Sequence, residues 1–268
     1  MQRHEGDAFP TAFQAVLLYV ALLLCELFVG AALRDVRGIV RLAPDQASAL
    51  TLVLAIGCVF VLVMHFQNIT YRSLFHHSSA SRRATLAVIV PPALLLVPAM
   101  MLTISAALEL LVHIAPMAAW EEALCQRMGN GGIASTIAAC ILAPVLEEML
   151  FRGIVLRSFL KQYSRWQAIF GSAILFGAAH MNLYQLVVGI AMGVVLGWLY
   201  ERTRSLIPCI AIHTAYNSGL VVMGLLMKNQ PADVSLAGFA TAWLVSLAAA
   251  ACGMLALQRM LSPRRQPR

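Results

Sequence analysis

The sequence predicts an all-α fold, a polytopic bundle of about eight transmembrane helices. Of its 268 residues, 60% are hydrophobic and only 12% are charged, and the mean hydropathy is +0.80. A soluble domain needs more charge than this to cover its surface. The apolar residues also come in long blocks, and about 20 consecutive apolar residues are enough for a helix to cross a bilayer. We therefore expect an integral, multi-pass membrane protein whose surroundings are the lipid bilayer.

Eight apolar blocks are long enough to form membrane spans. The first is longer than a signal-peptide core and lacks a clearly basic segment before it, so we expect it to be retained. The third contains Pro91, Pro92 and Pro98, which membrane helices tolerate when neighbouring helices satisfy the freed backbone groups. The predicted spans lie at about 11–33, 47–66, 86–114, 133–156, 166–182, 185–200, 206–227 and 236–258.

The distribution of Lys and Arg predicts the orientation. With both termini inside, the inner segments hold 13 of the 19 Lys and Arg residues, the outer loops hold 5, and Arg152 lies in a span. Because basic residues favour the cytoplasmic side, we expect cytoplasmic termini. This border accounts for the net charge of +7, and no nucleic-acid partner is expected, because no basic run is interleaved with aromatic residues. The chain then divides into spans 1–3 with their loops (1–132), a core that contains the motifs (133–227), and the last span with a basic tail (228–268).

Charged residues interrupt the fourth span in the stretch PVLEEMLFRG. On a helix, Glu148 and Arg152 lie about 40° apart around the axis, so their side chains can pair. Glu147 points about 100° away from Glu148 and stays free to face something else, as a general base requires. The alternative is that all three charges only cap the helix end at the membrane interface.

Two more polar motifs lie on the following spans. FGAAH places Phe176 four residues before His180, and HTAYN places His213 and Asn217 on one helical face. Ionisable residues within a membrane usually face the bundle interior and are often functional. The alternative is that His213 and Asn217 hydrogen-bond to neighbouring helices and that His180 lies at the interface. Together with Glu147, these side chains supply what the activation of water and the stabilisation of an oxyanion require.

The same side chains suggest a metal site as an alternative. Glu147, His180 and His213 make a Glu/His/His set that suits zinc. An HExxH motif is absent, so separate helices would have to contribute the ligands. The six cysteines show no CxxC spacing, and we infer neither disulfides nor a thiolate site. We favour no cofactor and keep zinc as the alternative.

Two further patterns are predicted to be structural. Glu121 and Glu122 are followed by Arg127, but the spacing is one residue longer than in the fourth span and the stretch lies in a polar loop. Glycines at every fourth position over 189–197 form a smooth helix face. This face should bring the sixth span close to the fourth, fifth or seventh.

The motifs EEMLFR (147–152), FGAAH (176–180) and HTAYN (213–217) occur in this order on neighbouring spans. They resemble the CAAX protease and bacteriocin-processing family, whose pattern is EExxxR, FxxxH, and HxxxN or HxxxD. That family includes the type II CAAX prenyl endopeptidase, or Ras-converting enzyme, and many bacterial relatives. The resemblance covers about residues 133–227. It implies an intramembrane endopeptidase of the bacterial inner (plasma) membrane, with a cavity open to the cytoplasm and a membrane-anchored protein or peptide as substrate.

The resemblance also implies roles for the first two motifs. Glu147 would activate the hydrolytic water, and His180 would help to hold it. Glu148 and Arg152 would order the first motif.

For the third motif, the resemblance implies that His213 and Asn217 stabilise the oxyanion of the tetrahedral intermediate. The family has been described both as metalloproteases and as glutamate proteases that need no metal. Asn217, in place of an aspartate, offers no further anionic ligand, and we favour the glutamate mechanism.

Two other classes of membrane protein stay open as alternatives. In a proton-coupled transporter, the buried Glu, His and Arg residues would form an ion path. Such a protein should show repeated halves, and the sequence shows no internal repeat. A non-catalytic scaffold or immunity protein would not need the complete Glu/His/His/Asn set.

Overall fold

The computed structural model describes residues 8–36, 42–67, 69–122, 132–227 and 236–262. These residues form helices joined by short connections, which confirms the predicted all-α fold. The helices are α1 (Ala12–Asp35), α2 (Pro44–Gln67), α3 (Tyr71–Phe75), α4 (82–94), α5 (Val97–Ile114), α6 (Ile133–Gln162), α7 (Arg165–Ala178), α8 (Leu183–Thr203), α9 (Ile207–Met227) and α10 (Leu236–Leu261). The basic tail predicted after residue 262, and the arginines at 37, 41 and 127, lie outside the described residues.

Within the described residues, seven helices are long and apolar enough to cross a membrane, namely α1, α2, α5, α6, α8, α9 and α10. Helix α7 occupies the predicted fifth span, but its 14 residues are about 21 Å long, shorter than an apolar bilayer core of about 30 Å. The predicted third span is divided into α4 and α5 by a turn at residues 95–96. Pro98 lies in the first turn of α5, where a missing N–H breaks no helical hydrogen bond. The polytopic bundle is confirmed, and α7 is the predicted span whose helix is too short to cross the membrane by itself.

The glycines of α8 set its distance from α7. A Cβ atom added at Gly193 would lie 2.6 Å from the Cβ of Ala173, and one added at Gly189 would lie 2.5 Å from the Cα of Gly177. Contacts this short exist only because glycine has no side chain. The prediction of a close-packing glycine face is confirmed, and its partner is α7.

Hydrogen bonds join segments that are predicted to face the cytoplasm. The side-chain amide of Gln162, at the end of α6, donates to the carbonyl of Pro10 before α1 (2.9 Å). The guanidinium of Arg157 donates to the carbonyl of Ser73 in α3 (3.2 Å). The start of α1, the α2–α4 connection and the end of α6 therefore meet at one end of the bundle.

The opposite end is held by the first residues of α8. Asn182 accepts hydrogen bonds from the backbone N–H groups that begin α8 and donates its amide to Glu121 (2.8 Å). Tyr184 donates its hydroxyl to the carbonyl of Ala115. Glu121, predicted to be structural, therefore fastens the α5–α6 connection to the α7–α8 turn.

Candidate active site

The first motif lies in α6, where one π-helical stretch precedes it (Ala138–Leu142) and a second contains its last four residues (Met149–Leu156). A π-helical turn is wider than an α-helical turn and re-aims the side chains beside it, and such turns are frequent at functional sites. Glu147 and Glu148 occupy the short α-helical interval between the two stretches. The backbone of α6 is therefore irregular on both sides of the glutamates.

The first π-helical turn explains the position of Asn217. The N–H of Ala143 donates to the carbonyl of Ala138, and Pro144 has no N–H to offer. The carbonyl of Ala139 accepts instead from the side-chain amide of Asn217 (2.8 Å). This hydrogen bond fastens α9 to α6 and places His213, one turn earlier in α9, beside the glutamates.

Glu148 is fully buried, and one of its oxygens accepts from an arginine and from a histidine. Its Oε1 atom accepts from Nη1 of Arg152 (2.7 Å) and from Nδ1 of His213 (2.9 Å). The structure thus pairs Glu148 with Arg152, as the four-residue spacing predicts. Hydrogen bonds between charged partners are the stronger kind and offset part of the cost of burial. Within the described residues, Oε2 of Glu148 and Nε and Nη2 of Arg152 have no hydrogen-bond partner.

Glu147 differs from its neighbour in accessibility. Its side chain is 21% exposed, whereas that of Glu148 is 0% exposed. Its Oε2 atom lies 3.6 Å from Nε2 of His213, so the imidazole is placed between two carboxylates. The hydrogen bond from Nδ1 to Glu148 fixes the orientation of the ring and directs Nε2 toward Glu147.

Phe176 connects the three motifs, a role that the sequence analysis did not assign to it. Its ring is buried, and the guanidinium carbon of Arg152 lies 4.5 Å from the ring centroid, a cation–π contact. The rings of His180 and His213 meet it edge-on, with centroids 5.3 Å and 5.7 Å away. The only signal in the sequence was its place four residues before His180.

His180 is the least connected of the predicted site residues. Its Nδ1 donates to the carbonyl of Phe176 (3.0 Å), which leaves Nε2 as the free nitrogen of the neutral ring. In the part of the chain that the structure describes, neither a hydrogen bond nor an ion pair joins His180 to Glu147. The expectation that these two side chains share a water molecule stays a prediction.

Comparison with known proteins identifies the part of the chain that carries this network. Residues 129–219 match the family model described as Type II CAAX prenyl endopeptidase Rce1-like. The match shows what this segment is similar to, and we call residues 129–219 the Rce1-like segment. The match confirms the resemblance predicted from the three motifs, and it contains all six predicted site residues.

One curated relative aligns with this chain over a stretch about as long as the Rce1-like segment. It is the Bacillus subtilis (strain 168) protein named "Putative membrane peptidase YdiL", 33% identical over 89 residues. The match covers 33% of this chain and 36% of that protein, so the chain aligns with about a third of its relative. No solved structure gave a significant match.

Glu147, His180 and His213 are the zinc ligands that the sequence left open as an alternative. Among the described residues, no three His, Cys, Asp or Glu side chains come together as metal ligands. Nδ1 of His213 is engaged by Glu148 and Nδ1 of His180 by a backbone carbonyl, which leaves Nε2 of each ring as the nitrogen that could bind a metal. As placed, the three side chains are not grouped closely enough to form a zinc shell together, and the expectation that no cofactor is needed stays a prediction.

Proposed function

We propose that the protein is an intramembrane endopeptidase that hydrolyses a peptide bond of a membrane-anchored protein or peptide. The observation that carries the proposal is the unequal environment of two adjacent carboxylates. Glu148 is buried against Arg152 and His213, whereas Glu147 is accessible and faces Nε2 of the same histidine. The similarity to a protein named as a membrane peptidase supports the same class of reaction.

Glu147 acts as the general base. Its carboxylate takes a proton from a water molecule while the water oxygen attacks the carbonyl carbon of the scissile bond. The new C–O bond moves the carbonyl electrons onto the oxygen, which becomes an oxyanion. When the intermediate collapses, the C–N bond breaks and the proton held by Glu147 passes to the leaving amine.

His213 and Asn217 stabilise the oxyanion. His213 presents Nε2 beside Glu147, and when this nitrogen is protonated it is a donor within reach of the reacting carbonyl. Glu148 accepts from Nδ1 and keeps the ring in place, and Arg152 compensates the charge of Glu148. Asn217 uses one amide N–H on the carbonyl of Ala139 and has a second N–H to offer.

We further propose that the enzyme works in a bacterial inner membrane with its termini in the cytoplasm and its cavity open to that side. The Lys and Arg distribution supports this orientation. The meeting of several predicted cytoplasmic segments at one end of the bundle is consistent with it.

The test compares the membrane proteins of a heterologous bacterial host that produces either the wild type or Glu147→Gln. New protein termini that depend on the wild type identify substrates, which are then cleaved by purified protein in proteoliposomes. We expect Glu147→Gln to slow cleavage by about 10²- to 10⁴-fold, the contribution of a general base. Glu122→Gln, an exposed glutamate outside the network, is the matched control and should cleave like the wild type.

A zinc chelator separates the two catalytic types. Cleavage that resists 1,10-phenanthroline supports the glutamate mechanism, and cleavage that is lost and then restored by zinc supports a metalloprotease. Equal cleavage by wild type and Glu147→Gln would contradict the role of Glu147. If neither protein cleaves any substrate while both bind a membrane peptide, the non-catalytic scaffold is the better interpretation.

A further inference from the structure

Glu26 is a carboxylate of α1 that lies outside the Rce1-like segment and has no role in the proposed reaction. Seven residues separate it from Tyr19, so both side chains point from the same face of the helix. Leu22, also on this face, is buried, and the hydroxyl of Tyr19 donates to the carbonyl of Ala179, next to His180 (3.0 Å). Glu26 therefore points into the bundle.

Glu26 also lies at the same depth as Glu147. The N–H of Ala12 donates to the hydroxyl of Tyr163 (3.2 Å), so the start of α1 and the end of α6 are level. Glu26 follows Ala12 by 14 residues and Glu147 precedes Tyr163 by 16, so they lie about 21 Å and about 24 Å from that shared end. Within the described residues, no hydrogen bond or ion pair engages Glu26.

A cavity of about 470 Å³ opens beside Glu26 between α1 and α2, and we call it the α1–α2 cavity. Ser48 and Thr51 in its wall donate their hydroxyl hydrogens to the carbonyls of Pro44 (3.0 Å) and Ala47 (2.8 Å) in their own helix. These hydroxyls can therefore offer only lone pairs to a ligand. Together with the Glu26 carboxylate, they make this wall of the cavity a set of acceptors.

Among the described residues that line the cavity, Arg34 is the one cation, and it does not neutralise Glu26. The two residues are eight positions apart on α1, about 12 Å along the axis, and no ion pair joins them in the described part of the chain. A carboxylate at this depth is costly unless a positive partner compensates it. A ligand with a positive charge would supply such a partner.

We propose that the α1–α2 cavity is a substrate subsite for a basic group, the side chain of Lys or Arg or an amino terminus, with Glu26 as its counter-charge. The inference rests on the proposed function, because the basic group would belong to the peptide whose scissile bond lies at Glu147. A cavity of this volume is within the usual range for ligand pockets, about 300–1,000 Å³. The subsite makes the enzyme prefer substrates with a positive charge near the cleaved bond.

The first experiment measures cleavage selectivity in proteoliposomes. Each substrate is prepared with Lys, Arg, Gln or norleucine at every position within four residues of the cleaved bond. For the wild type, we expect one position where Lys or Arg lowers KM by roughly tenfold or more relative to norleucine, with kcat little changed. Glu26→Gln should abolish that preference, and Glu26→Lys should reverse it in favour of Glu.

Glu109→Gln is the matched control, because Glu109 is a carboxylate of α5 whose side chain is 76% exposed. It should keep the wild-type preference. If Glu26→Gln lowers the cleavage of Lys and norleucine substrates equally, Glu26 is only structural and the proposal is overturned.

A second experiment does not depend on catalysis. Purified Glu147→Gln protein is treated with a hydrophobic carbodiimide, and the labelling of Glu26 is followed by peptide mass spectrometry. N-lauroyl-lysine amide should protect Glu26 from labelling at concentrations where N-lauroyl-norleucine amide does not. Equal protection by the two probes would overturn the subsite. Selective protection without cleavage of any substrate would retain the subsite and reject the protease.

Discussion

Glu121 and Glu148 are both buried, and each is followed or preceded directly by a second glutamate. Their carboxylates accept hydrogen bonds from different kinds of donor. Glu121 accepts from the amide of Asn182 and from the N–H of Ala118, both neutral groups. Glu148 accepts from Arg152 and His213 through a single oxygen. The first carboxylate closes a turn and links two connections, whereas the second holds a guanidinium and an imidazole in one place.

The neighbouring glutamates differ in the same sense. Glu122 is exposed, and Glu147 is partly exposed with one carboxylate oxygen 3.6 Å from His213. In the first pair, Glu121 only holds the backbone of two connections in place. In the second, the buried carboxylate orients an imidazole for its neighbour. What distinguishes a candidate catalytic pair from a structural pair here is the cation bound to the buried member.

The strongest way to break this distinction is Arg152→Met. The variant leaves Glu148 buried without its guanidinium, and the loss of one partner of a buried ion pair costs about 3–5 kcal/mol. We expect a large fall in the midpoint of thermal unfolding in detergent, together with low yield. The measurement is the loss of helical circular dichroism on heating.

The double variant Arg152→Met with Glu148→Gln is the control for this interpretation. It removes both charges and should unfold at a higher temperature than Arg152→Met alone. If Arg152→Met is as stable as the wild type, the Glu148 charge does not need Arg152 and the comparison fails.

The sequence predicted the part of this site that lies within one helix. The four-residue spacing places Glu148 next to Arg152, and the 100° step turns Glu147 elsewhere. The position of His213 between the two carboxylates depends on the packing of α9 against α6, which no local pattern encodes. The Phe176 ring is central for the same reason, because its contacts come from different helices.

The sequence likewise predicted the positions of the membrane spans but not the details of their helices. Apolar blocks located the spans, because burial in lipid requires long apolar helices. The short α7 and the π-helical turns of α6 were not predicted, since both depend on tertiary contacts such as the hydrogen bond from Asn217 to Ala139. The glycine spacing of α8 predicted close packing but left its partner open among three spans.

A wedge between α7 and α8 should disturb both carboxylate regions together. Gly193→Ala places a Cβ atom 2.6 Å from that of Ala173, so the helices must separate, at a cost of about 1–3 kcal/mol. The α7–α8 turn carries His180 toward one region and Asn182 toward the other. We expect a lower unfolding temperature and reduced cleavage in the proteoliposome assay.

Gly224→Ala in α9 is the matched control, since nothing lies within 4 Å of the added Cβ atom. It should be neutral or slightly stabilising, because alanine favours a helix more than glycine does. If Gly193→Ala unfolds at the wild-type temperature, the two helices can separate without cost and do not link the regions.

The smallest effect is expected for Glu121→Ala, which tests whether the Glu121 region is independent of the Glu147–Glu148 region. Glu121→Ala removes the carboxylate that accepts from Asn182 and Ala118, both neutral donors, and should cost about 1 kcal/mol. Cleavage should stay within a few-fold of the wild type, because no step of the reaction uses Glu121. Glu122→Ala, one residue away and exposed, should change neither stability nor cleavage. If Glu121→Ala loses as much cleavage as Glu147→Gln, the hydrogen bonds of Glu121 hold the α7–α8 turn in the position that the active site requires.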